Sequence, residues 1–340
     1  MTFLLTVDYL KDLRDVYENK IGTLGIKAYQ DTQIDFTKNI DKKSVNKDKY
    51  TFYNVTQNNI AKIPTNEIHN ISNVPDVIGV VKLPLTIHVL TYNISWESMT
   101  GKSGWALCPT MATPQVCQNN VANIIDSAGS FHLIGLQEAA EWKKLIDMSS
   151  TLKGMSYAVA KVGVAEVASF WNSSIFNENS SKRIQSSFDE LRADFFRDPH
   201  DKQKHVGRIR LSTDHYGDRP ILILFFDDQK LVFINAHFPH NDQYELITLL
   251  EYKYLSNYRD YHTIIAADFN TNFPKKITPF KNNYMVGNTS KPTCCIPPRS
   301  NHALVYDHVL ATTIYQIDTY IPSVTNPASD HLPVVAFIQF

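Results

Sequence analysis

The chain has 340 residues, of which 43% are hydrophobic and 20% are charged, and its formal net charge at pH 7 is -1. This length allows one large domain or two small ones, with a core large enough to fold without disulfide or metal staples. The balanced charge excludes a strongly basic, histone-like nucleic-acid binder. It does not exclude a nucleic-acid enzyme that takes its positive charge from a bound metal ion.

Residues 1–80 differ in composition from the rest of the chain. Their segment DFTKNIDKKSVNKDKY is polar and charged, with few large aliphatic side chains. This composition fits a small appended unit, a strand-poor extension or a partly disordered segment, and periodicity does not decide between them. We expect residues 1–80 to be an N-terminal extension of unknown role and residues 81–340 to be the main domain.

The start of the chain shows no targeting signal. The sequence MTFLLTVDYLKDLR lacks the basic region and the long apolar region of a signal peptide. No apolar stretch is long enough to span a bilayer, and four cysteines are too few for a disulfide scaffold. We therefore expect an intracellular protein of the cytoplasm or nucleus, in a reducing compartment and with no membrane span.

From Leu83 onward, short runs rich in β-branched and aromatic residues alternate with polar, helix-like segments. The runs that predict strands are LTIHVLTYN, FHLIGLQ, YAVAKV, VASFWN, PILILFF, LVFINAH, HTIIAAD, ALVYDHVLA and PVVAFIQF. Several of these runs follow one another directly, which favours a layered α/β or α+β sandwich over one parallel sheet with regular alternation.

Fewer segments predict helices. Cys117, Val121 and Ile124 recur at helical spacing between the first two predicted strands. Two pairs match the capping-box pattern at the start of an apolar helix face, Ser187 with Glu190 and Asp242 with Glu245.

Polar side chains stand at the ends of many predicted strands. They are Asn93, Glu138, His237, Asp268, Asn270, Asp307, Asp330 and His331. Any one of them alone is typical of a helix cap, a turn or a satisfied core position. Together, acids that meet at one rim of a sheet raise one another's pKa, and a divalent cation would relieve that repulsion. Carboxylate and amide oxygens suit Mg²⁺ or Mn²⁺.

Six motifs occur in a distinctive order along these strands: TYN, LQE, NAHFPHN, AADFN, YDH and SDHLP. In that order they resemble the endonuclease/exonuclease/phosphatase superfamily, which has the DNase I-like fold. The resemblance covers the chain from about Leu83 to Phe340. It implies a four-layer sandwich of two packed mixed β-sheets flanked by helices, and a metal-dependent phosphoesterase with Mg²⁺, or alternatively Mn²⁺, as its cofactor.

The resemblance also implies metal-binding residues. Glu138 matches the principal metal ligand of the family, and Asn93 contributes to the same metal region. Asp330 matches a further acid on the metal side. The chain departs from the family pattern nearby, because Tyr92 replaces the common Trp and Ala267 replaces the usual Gly, but neither change removes a functional group.

Catalytic roles follow from the same resemblance. Asp268 and Asn270 match the pair that orients the attacking water and contacts phosphate oxygens, and His331 matches the catalytic histidine that Asp307 orients. Whether Asp268 or His331 accepts the proton of the water is open at this stage.

Two further positions complete the implied site. His237 matches the second histidine of the DNase I, sphingomyelinase and inositol-phosphatase branches, which disfavours the abasic-site endonuclease branch. Arg219 resembles an arginine that lies beside the phosphate.

The preferred function is a nuclease or nucleic-acid phosphodiesterase. The alternative is a phosphatase on a small phosphorylated molecule, such as an inositol phosphate or phosphoinositide. A non-catalytic binding module would need a broken site, whereas every expected ligand type is present. The expected partners are therefore nucleic acid or a phosphorylated small molecule, with the protein acting as a monomer.

Overall fold

The computed structural model describes residues 86–102, 113–207, 209–212, 218–287, 289, 291–294, 304–312, 316–324 and 328–340, together with the main chain of residues 2–4, 53–56 and 59–62. The chain separates into two compact units, Met1–Val80 and Val81–Phe340. In the described part of the first unit, β1 (Thr2–Leu4), β2 (Tyr53–Thr56) and β3 (Asn59–Lys62) form an antiparallel sheet in that order. The segment DFTKNIDKKSVNKDKY lies outside the described residues.

The described residues of the second unit form two mixed sheets. The six-stranded sheet consists of β4 (Thr86–Asn93), β5 (Leu133–Gln137), β6 (Ser156–Val162), β7 (Ala165–Trp171), β15 (Gln316–Tyr320) and β16 (Val334–Gln339). Its strand order is β15-β16-β4-β5-β7-β6. Only β4 and β5 are parallel, with Asn93 opposite Gln137, so that Glu138 follows directly beside the end of β4.

The seven-stranded sheet consists of β8 (Ile184–Ser187), β9 (Pro220–Phe226), β10 (Leu231–His237), β11 (His262–Asp268), β12 (Lys276–Ile277), β13 (Tyr284–Gly287) and β14 (Asp307–Thr312). Its strand order is β12-β13-β14-β11-β10-β9-β8. The parallel pair β10 and β11 places His237 opposite Asp268, and antiparallel β14 places Asp307 opposite Asp268. The strand register therefore brings three predicted site residues to one edge.

Helices lie between these strands along the chain. They are α1 (Trp96–Thr100), α2 (Pro114–Ser127), α3 (Trp142–Met148), α4 (Ser150–Lys153), α5 (Phe188–Arg197), α6 (Pro199–Val206) and α7 (Gln243–Leu250). A 3₁₀ turn spans Asp227–Gln229, and a π-helical turn, Glu251–Leu255, continues α7. None of the helices among the described residues has the length and apolar character needed to cross a membrane.

Buried apolar side chains of the described residues form three clusters, which define the layers. The central cluster lies between the sheets and contains Val89 and Leu133 of one sheet with Leu224 and Phe233 of the other. A second cluster joins α2, α3 and α4 to the outer face of the six-stranded sheet. The third joins α5 and α7 to the outer face of the seven-stranded sheet. The result is the predicted order of helix, sheet, sheet and helix.

The burial of both sheet faces explains why the central strands were predicted correctly. In β10 the side chains alternate between the outer and the central cluster, and each is at most 4% exposed. A strand buried on both faces reads as an uninterrupted apolar run, and LVFINAH is such a run. Each of the predicted strand segments overlaps a strand of one of the two sheets.

Other local predictions had different outcomes. The Ser187–Glu190 capping box is present at the start of α5. The capping box at Asp242 was a wrong prediction, because that residue has φ 62° and no side-chain cap bond to α7. Its carboxylate instead accepts a hydrogen bond from the amide of Ser212 and pairs with Arg192. Cys294 is disulfide-bonded, which the expectation of a reducing compartment did not anticipate.

Candidate active site

The predicted site residues come from the ends of strands in both sheets. The six-stranded sheet supplies Asn93 at the end of β4, Glu138 after β5, and Asp330 with His331 ahead of β16. The seven-stranded sheet supplies Arg219 ahead of β9, His237 at the end of β10, Asp268 and Asn270 at the end of β11, and Asp307 at the start of β14. The contacts described below join the residues other than Asp330 into one cluster, and Asp330, next to His331 in the chain, adds negative charge to it.

Asn93 connects the two sheets at the centre of the cluster. Its side-chain amide donates to Oε1 of Glu138 at 3.2 Å and to Oδ2 of Asp268 at 3.0 Å. Its own Oδ1 accepts from the backbone amide of Ser95 at 3.0 Å. In this arrangement Asn93 holds two carboxylates by donation, and it would have to turn its amide group to act as a metal ligand.

Glu138 is held at the beginning of α1. Its Oε2 accepts a hydrogen bond of 2.8 Å from the backbone amide of Trp96, the first residue of that helix. Burial raises the pKa of Glu138, and the charge of Glu97 adds to this, whereas the bonds from Trp96 and Asn93 oppose it. The backbone of Glu138 has φ 51°, a left-handed conformation that is uncommon outside glycine and concentrates at functional sites.

His331 and Asp307 form a buried pair that spans the two sheets. Nδ1 of His331 lies 2.8 Å from Oδ2 of Asp307, and its Nε2 lies 3.7 Å from Oδ2 of Asp268. Burial opposes the charged imidazolium, but Asp307, Asp268 and Asp330 outweigh it and raise the pKa of His331 to about 10. The ring is therefore protonated near neutral pH.

His237 is in the opposite state. Burial, together with the charge of Arg219, lowers the pKa of His237 well below its usual value. A guanidinium nitrogen of Arg219 contacts the ring, whose Nε2 lies 3.4 Å from Oδ2 of Asp268 and whose Nδ1 lies 3.8 Å from Oε1 of Glu138. Two histidines beside one carboxylate thus differ in charge, which is a common way of separating acid and base roles.

Asp268 is the acid on which these contacts converge. It is 1% exposed, and burial raises its pKa, with a further contribution from the charge of Asp307. Its Oδ1 accepts from the backbone amide of Asn270 at 2.9 Å. The side chain of Asn270 donates to the backbone oxygen of Phe238 at 2.8 Å, which ties the segment after β11 to the segment after β10.

A divalent cation could bind at either of two places in this cluster. One ligand atom each from Asp268, Asp307 and His331 lie within 4.8 Å of one another. A metal-bound histidine must be unprotonated, however, and the high pKa of His331 opposes this. Glu138, whose charged form burial disfavours, fits a cation better, since a nearby positive charge would offset that penalty.

Two residues that the sequence analysis did not single out position the histidine–aspartate pair. The hydroxyl of Ser329 donates to the backbone oxygen of Asn93 at 2.8 Å and accepts from the amide of His331 at 3.1 Å. The hydroxyl of Thr293 accepts from the amide of Asp307 at 3.0 Å. Ser329 opens the SDHLP motif and could have been noticed there, whereas no local pattern marks Thr293.

The sequence of the chain has little similarity to known protein families. No protein-family model matches the chain. Uncharacterized protein L684 of Acanthamoeba polyphaga mimivirus is 26% identical over 271 residues, which are 74% of this chain and 50% of that protein. The chain therefore spans about half the length of this relative.

Solved structures show a closer likeness in fold than in sequence. An endonuclease/exonuclease/phosphatase from Bacteroides vulgatus matches with a TM-score of 0.53 at 14% identity, over 75% of this chain and 99% of that chain. A mannosyl-6-phosphatase from Bacteroides thetaiotaomicron matches with a TM-score of 0.50 at 15% identity, over 75% of this chain and 100% of that chain. With its two mixed sheets between layers of helices, the chain has the fold of the endonuclease/exonuclease/phosphatase proteins, as its ordered motifs predicted.

Proposed function

We propose that residues 81–340 form a domain that hydrolyses phosphodiesters of nucleic acid with the help of Mg²⁺. The observation that supports this most directly is the meeting of Glu138 with Asp268 and the His331–Asp307 pair at one edge of the sandwich. Phosphodiester hydrolysis needs a cation to offset phosphate charge and a group that takes a proton from water. Glu138 would hold the cation, and Asp268 would take the proton from the water.

The metal-binding part of the proposal rests on oxygen donors. Glu138 and Asp330 supply carboxylates, which are hard ligands suited to Mg²⁺ or Mn²⁺. When bound, such a cation neutralises the non-bridging phosphate oxygens and stabilises the leaving oxygen. The chain itself fixes the direction of the Glu138 carboxylate, since the Trp96 backbone amide and the Asn93 side chain each hold one of its oxygens.

Asp268 is the group to which we assign the proton of the attacking water. Its raised pKa, caused first by burial, brings this carboxylate closer to neutral pH, where a general base works best. His331 is unsuited to that role because its pKa of about 10 keeps it protonated. It instead donates to negative charge that develops on the phosphoryl oxygens, and Asn270 and His237 add further donors.

Trp96 supports nucleic acid as the substrate class. The residue begins α1, is only partly buried, and places its backbone amide on Glu138. Its ring packs against the apolar cluster on the outer face of the six-stranded sheet and keeps part of its surface exposed, on which a nucleobase could stack, a contact that tolerates different bases. The nearby Trp105 lies outside the described residues.

A phosphatase acting on a small molecule is the second candidate. One solved structure that shares the fold is named a mannosyl-6-phosphatase, and Arg219 beside His237 supplies positive charge suited to a phosphomonoester. The two candidates need the same metal-binding acid and the same base. The two substrates differ in the groups attached to the phosphate, so activity assays on both kinds of substrate distinguish the candidates.

Hydrolysis by the purified protein tests both candidates. The panel contains single- and double-stranded DNA, RNA, a 5′-tyrosyl oligonucleotide, an inositol polyphosphate and a sugar phosphate, each with Mg²⁺ and with EDTA. The proposal expects Mg²⁺-dependent cleavage of a nucleic-acid substrate that Glu138→Gln abolishes. Gel filtration of the same sample tests the monomer, and microscopy of the tagged protein tests a cytoplasmic or nuclear location.

Other outcomes are equally clear. Release of phosphate from the small molecules alone would replace the proposal with the phosphatase candidate. Cleavage that persists in EDTA, or in the Glu138→Gln variant, would contradict the metal-dependent mechanism. Inactivity towards the whole panel would contradict the proposed substrate class.

A further inference from the structure

A layer of hydrogen-bonded polar side chains crosses the space between the two sheets. We define this amide layer as Thr91, Gln137 and Asn235, whose side chains are all 0% exposed. Nε2 of Gln137 donates to Oδ1 of Asn235 at 2.9 Å, from one sheet to the other, and lies 3.1 Å from the hydroxyl of Thr91. Nδ2 of Asn235 returns across the gap to the backbone oxygens of Leu136 and Ala168, at 3.2 and 2.9 Å.

The amide layer lies directly beneath the candidate active site. Side chains two residues apart on a strand share a face. Thr91 precedes Asn93 by two residues on β4, and Asn235 precedes His237 by two residues on β10. The amide layer therefore lies two residues further along these strands from the sheet edge than Asn93 and His237 do.

The sequence leaves space for the amide layer at Gly135. A Cβ atom built there would lie 3.1 Å from Cγ and 3.2 Å from Oδ1 of Asn235, and 3.4 Å from Cβ of Ala266. Contacts this short would force Asn235 to shift. A glycine and an alanine therefore keep open the volume that the bridging amide occupies.

Stability alone does not account for these amides. Replacing a satisfied buried polar pair with apolar groups of the same shape is nearly neutral or even stabilising. Apolar contacts, however, carry little directional preference, whereas a hydrogen bond fixes both the distance and the orientation of its partners. The neighbouring central cluster packs apolar side chains such as Val89, Leu133 and Phe233.

The candidate site is divided between the sheets in the same way. The metal-side residues Asn93, Glu138 and Asp330 belong to the six-stranded sheet or its adjoining segments. Of the residues proposed to handle water and phosphate, His331 precedes β16 of the six-stranded sheet, whereas the others belong to the seven-stranded sheet or its adjoining segments. These others are His237, Asp268, Asn270 and Asp307. The relative position of the two groups therefore depends on how one sheet is registered against the other.

We propose that Gln137 and Asn235 are positioning residues that register the two sheets and so align the metal-side residues with the water-activating residues. The assignment rests on the proposed function for its catalytic consequence, although the registration itself is a structural property. The amide layer touches no substrate. It acts through the strands that carry His237 and Glu138.

A triple variant, Thr91→Val with Gln137→Leu and Asn235→Leu, tests the proposal. Its free energy of unfolding should fall only slightly, because the side chains that bond to one another are removed together. The remaining cost is the loss of the Asn235 hydrogen bonds to the backbone oxygens of Leu136 and Ala168. Its kcat should fall by about tenfold to a hundredfold, since small misplacement of reacting groups has effects of that size. Mn²⁺ affinity, measured by EPR titration, should not change, because the metal-side residues share one sheet.

Two further variants serve as controls. The exchanged pair Gln137→Asn with Asn235→Gln keeps an amide bridge and should recover part of the kcat. Thr248→Val removes a buried hydroxyl that donates to the backbone oxygens of Tyr244 and Pro279, outside the site. It should lower the stability and leave kcat unchanged.

The crystal structures of the wild type and the triple variant separate this inference from the proposed function. A displacement of β10 against β5 of more than about 0.5 Å, the tolerance of a working site, supports the registration. Superposition within that limit, or a triple variant with undiminished kcat, overturns it. A wild type inactive on every substrate overturns the proposed function, and the structural comparison then decides the inference alone.

Discussion

Neighbouring side chains at the candidate site are held in different charge states by their surroundings. The negative charge of Asp307 stabilises the protonated ring of His331, whereas burial and the positive charge of Arg219 favour the neutral ring of His237. Both rings lie within 4 Å of the same oxygen of Asp268. Single substitutions that remove one charge and keep the shape of the side chain are therefore the most informative tests at this scale.

Substitution of Asp307 by Asn tests the histidine–aspartate pair. The amide keeps the size of the carboxylate but removes the negative charge that holds His331 protonated and correctly oriented. We expect kcat to fall by about a hundredfold on the best substrate, with little change in fold. Steady-state kinetics and circular dichroism measure the two effects. Asp318→Asn, an exposed change on β15, is the control, and a similar loss there would contradict the assignment.

Substitution of Glu138 by Gln tests the proposed metal-binding role of this acid without relying on activity. The neutral amide binds a hard divalent cation poorly, so we expect Mn²⁺ affinity to fall by about tenfold or more. EPR detection of free Mn²⁺ measures this directly. Glu141→Gln, at an exposed acid in the following turn, should bind Mn²⁺ like the wild type. Equal affinity in the Glu138 variant would place the cation elsewhere.

Whole strands and helices show what the sequence could and could not predict. Strands buried on both faces, such as β9 and β10, stand out as apolar runs, but the edge strands β8 and β15 are partly exposed and mix polar with apolar residues. The motifs located the candidate site because each lies at a strand end. Thr293 escaped notice because its contact with Asp307 joins residues distant in sequence, and the Asp242 cap failed because Arg192 and Ser212 compete for that carboxylate.

The start of α4 depends on a carboxylate from another helix. Asp126, in α2, accepts hydrogen bonds from the hydroxyls of Ser149 and Ser150 and from the amides of Ser150 and Thr151. We expect Asp126→Asn to lower the free energy of unfolding by about 1 kcal/mol, because the NH2 group that replaces one carboxylate oxygen cannot accept the hydrogen bonds that this oxygen receives. Urea titration measures this loss. Ser127→Ala, at the adjacent position, is the control and should have a smaller effect.

The same contact predicts a pH dependence. Partial burial opposes the charged form of Asp126, but the bonds from Ser149, Ser150 and Thr151 outweigh it and lower its pKa to about 2. Because the folded-state pKa lies below the unfolded value, the contribution is complete above about pH 4 and is lost as the pH falls towards 2. The difference between the wild type and Asp126→Asn should therefore narrow at acid pH. A difference that stays constant down to about pH 2 would contradict this explanation.

At the scale of the whole molecule, the second unit is held together by the packing of its two sheets, each of which is covered on both faces. Three apolar clusters hold its layers, and the carboxylate of Glu251, directly after α7, is 2% exposed. Its Oε2 accepts from the backbone amides of Lys281 and Asn282, which attaches the π-helical turn to the segment between β12 and β13. Burial raises the pKa of Glu251 to about 7.

The contribution of Glu251 to the free energy of unfolding should therefore fall as the pH rises from about 4.5 to about 7. Above the unfolded-state pKa of about 4.5, the unfolded chain loses this proton before the folded protein does, so stability declines until the pH passes about 7. Glu251→Gln cannot ionise and should have the higher Tm at about pH 8, with the advantage reduced or reversed at about pH 5. Calorimetry across this range measures the effect. Parallel pH profiles for the two proteins would contradict the assignment.

The left-handed backbone at Glu138 and Asn270 has a consequence for how this chain could change over evolutionary time. Residues other than glycine hold such a conformation at a cost of order 1 kcal/mol, which glycine avoids. Exchange of either residue for glycine would thus relax the main chain while deleting a functional group. Stability and the candidate site therefore make opposite demands at these two positions, and we expect glycine there only in relatives that have lost the site.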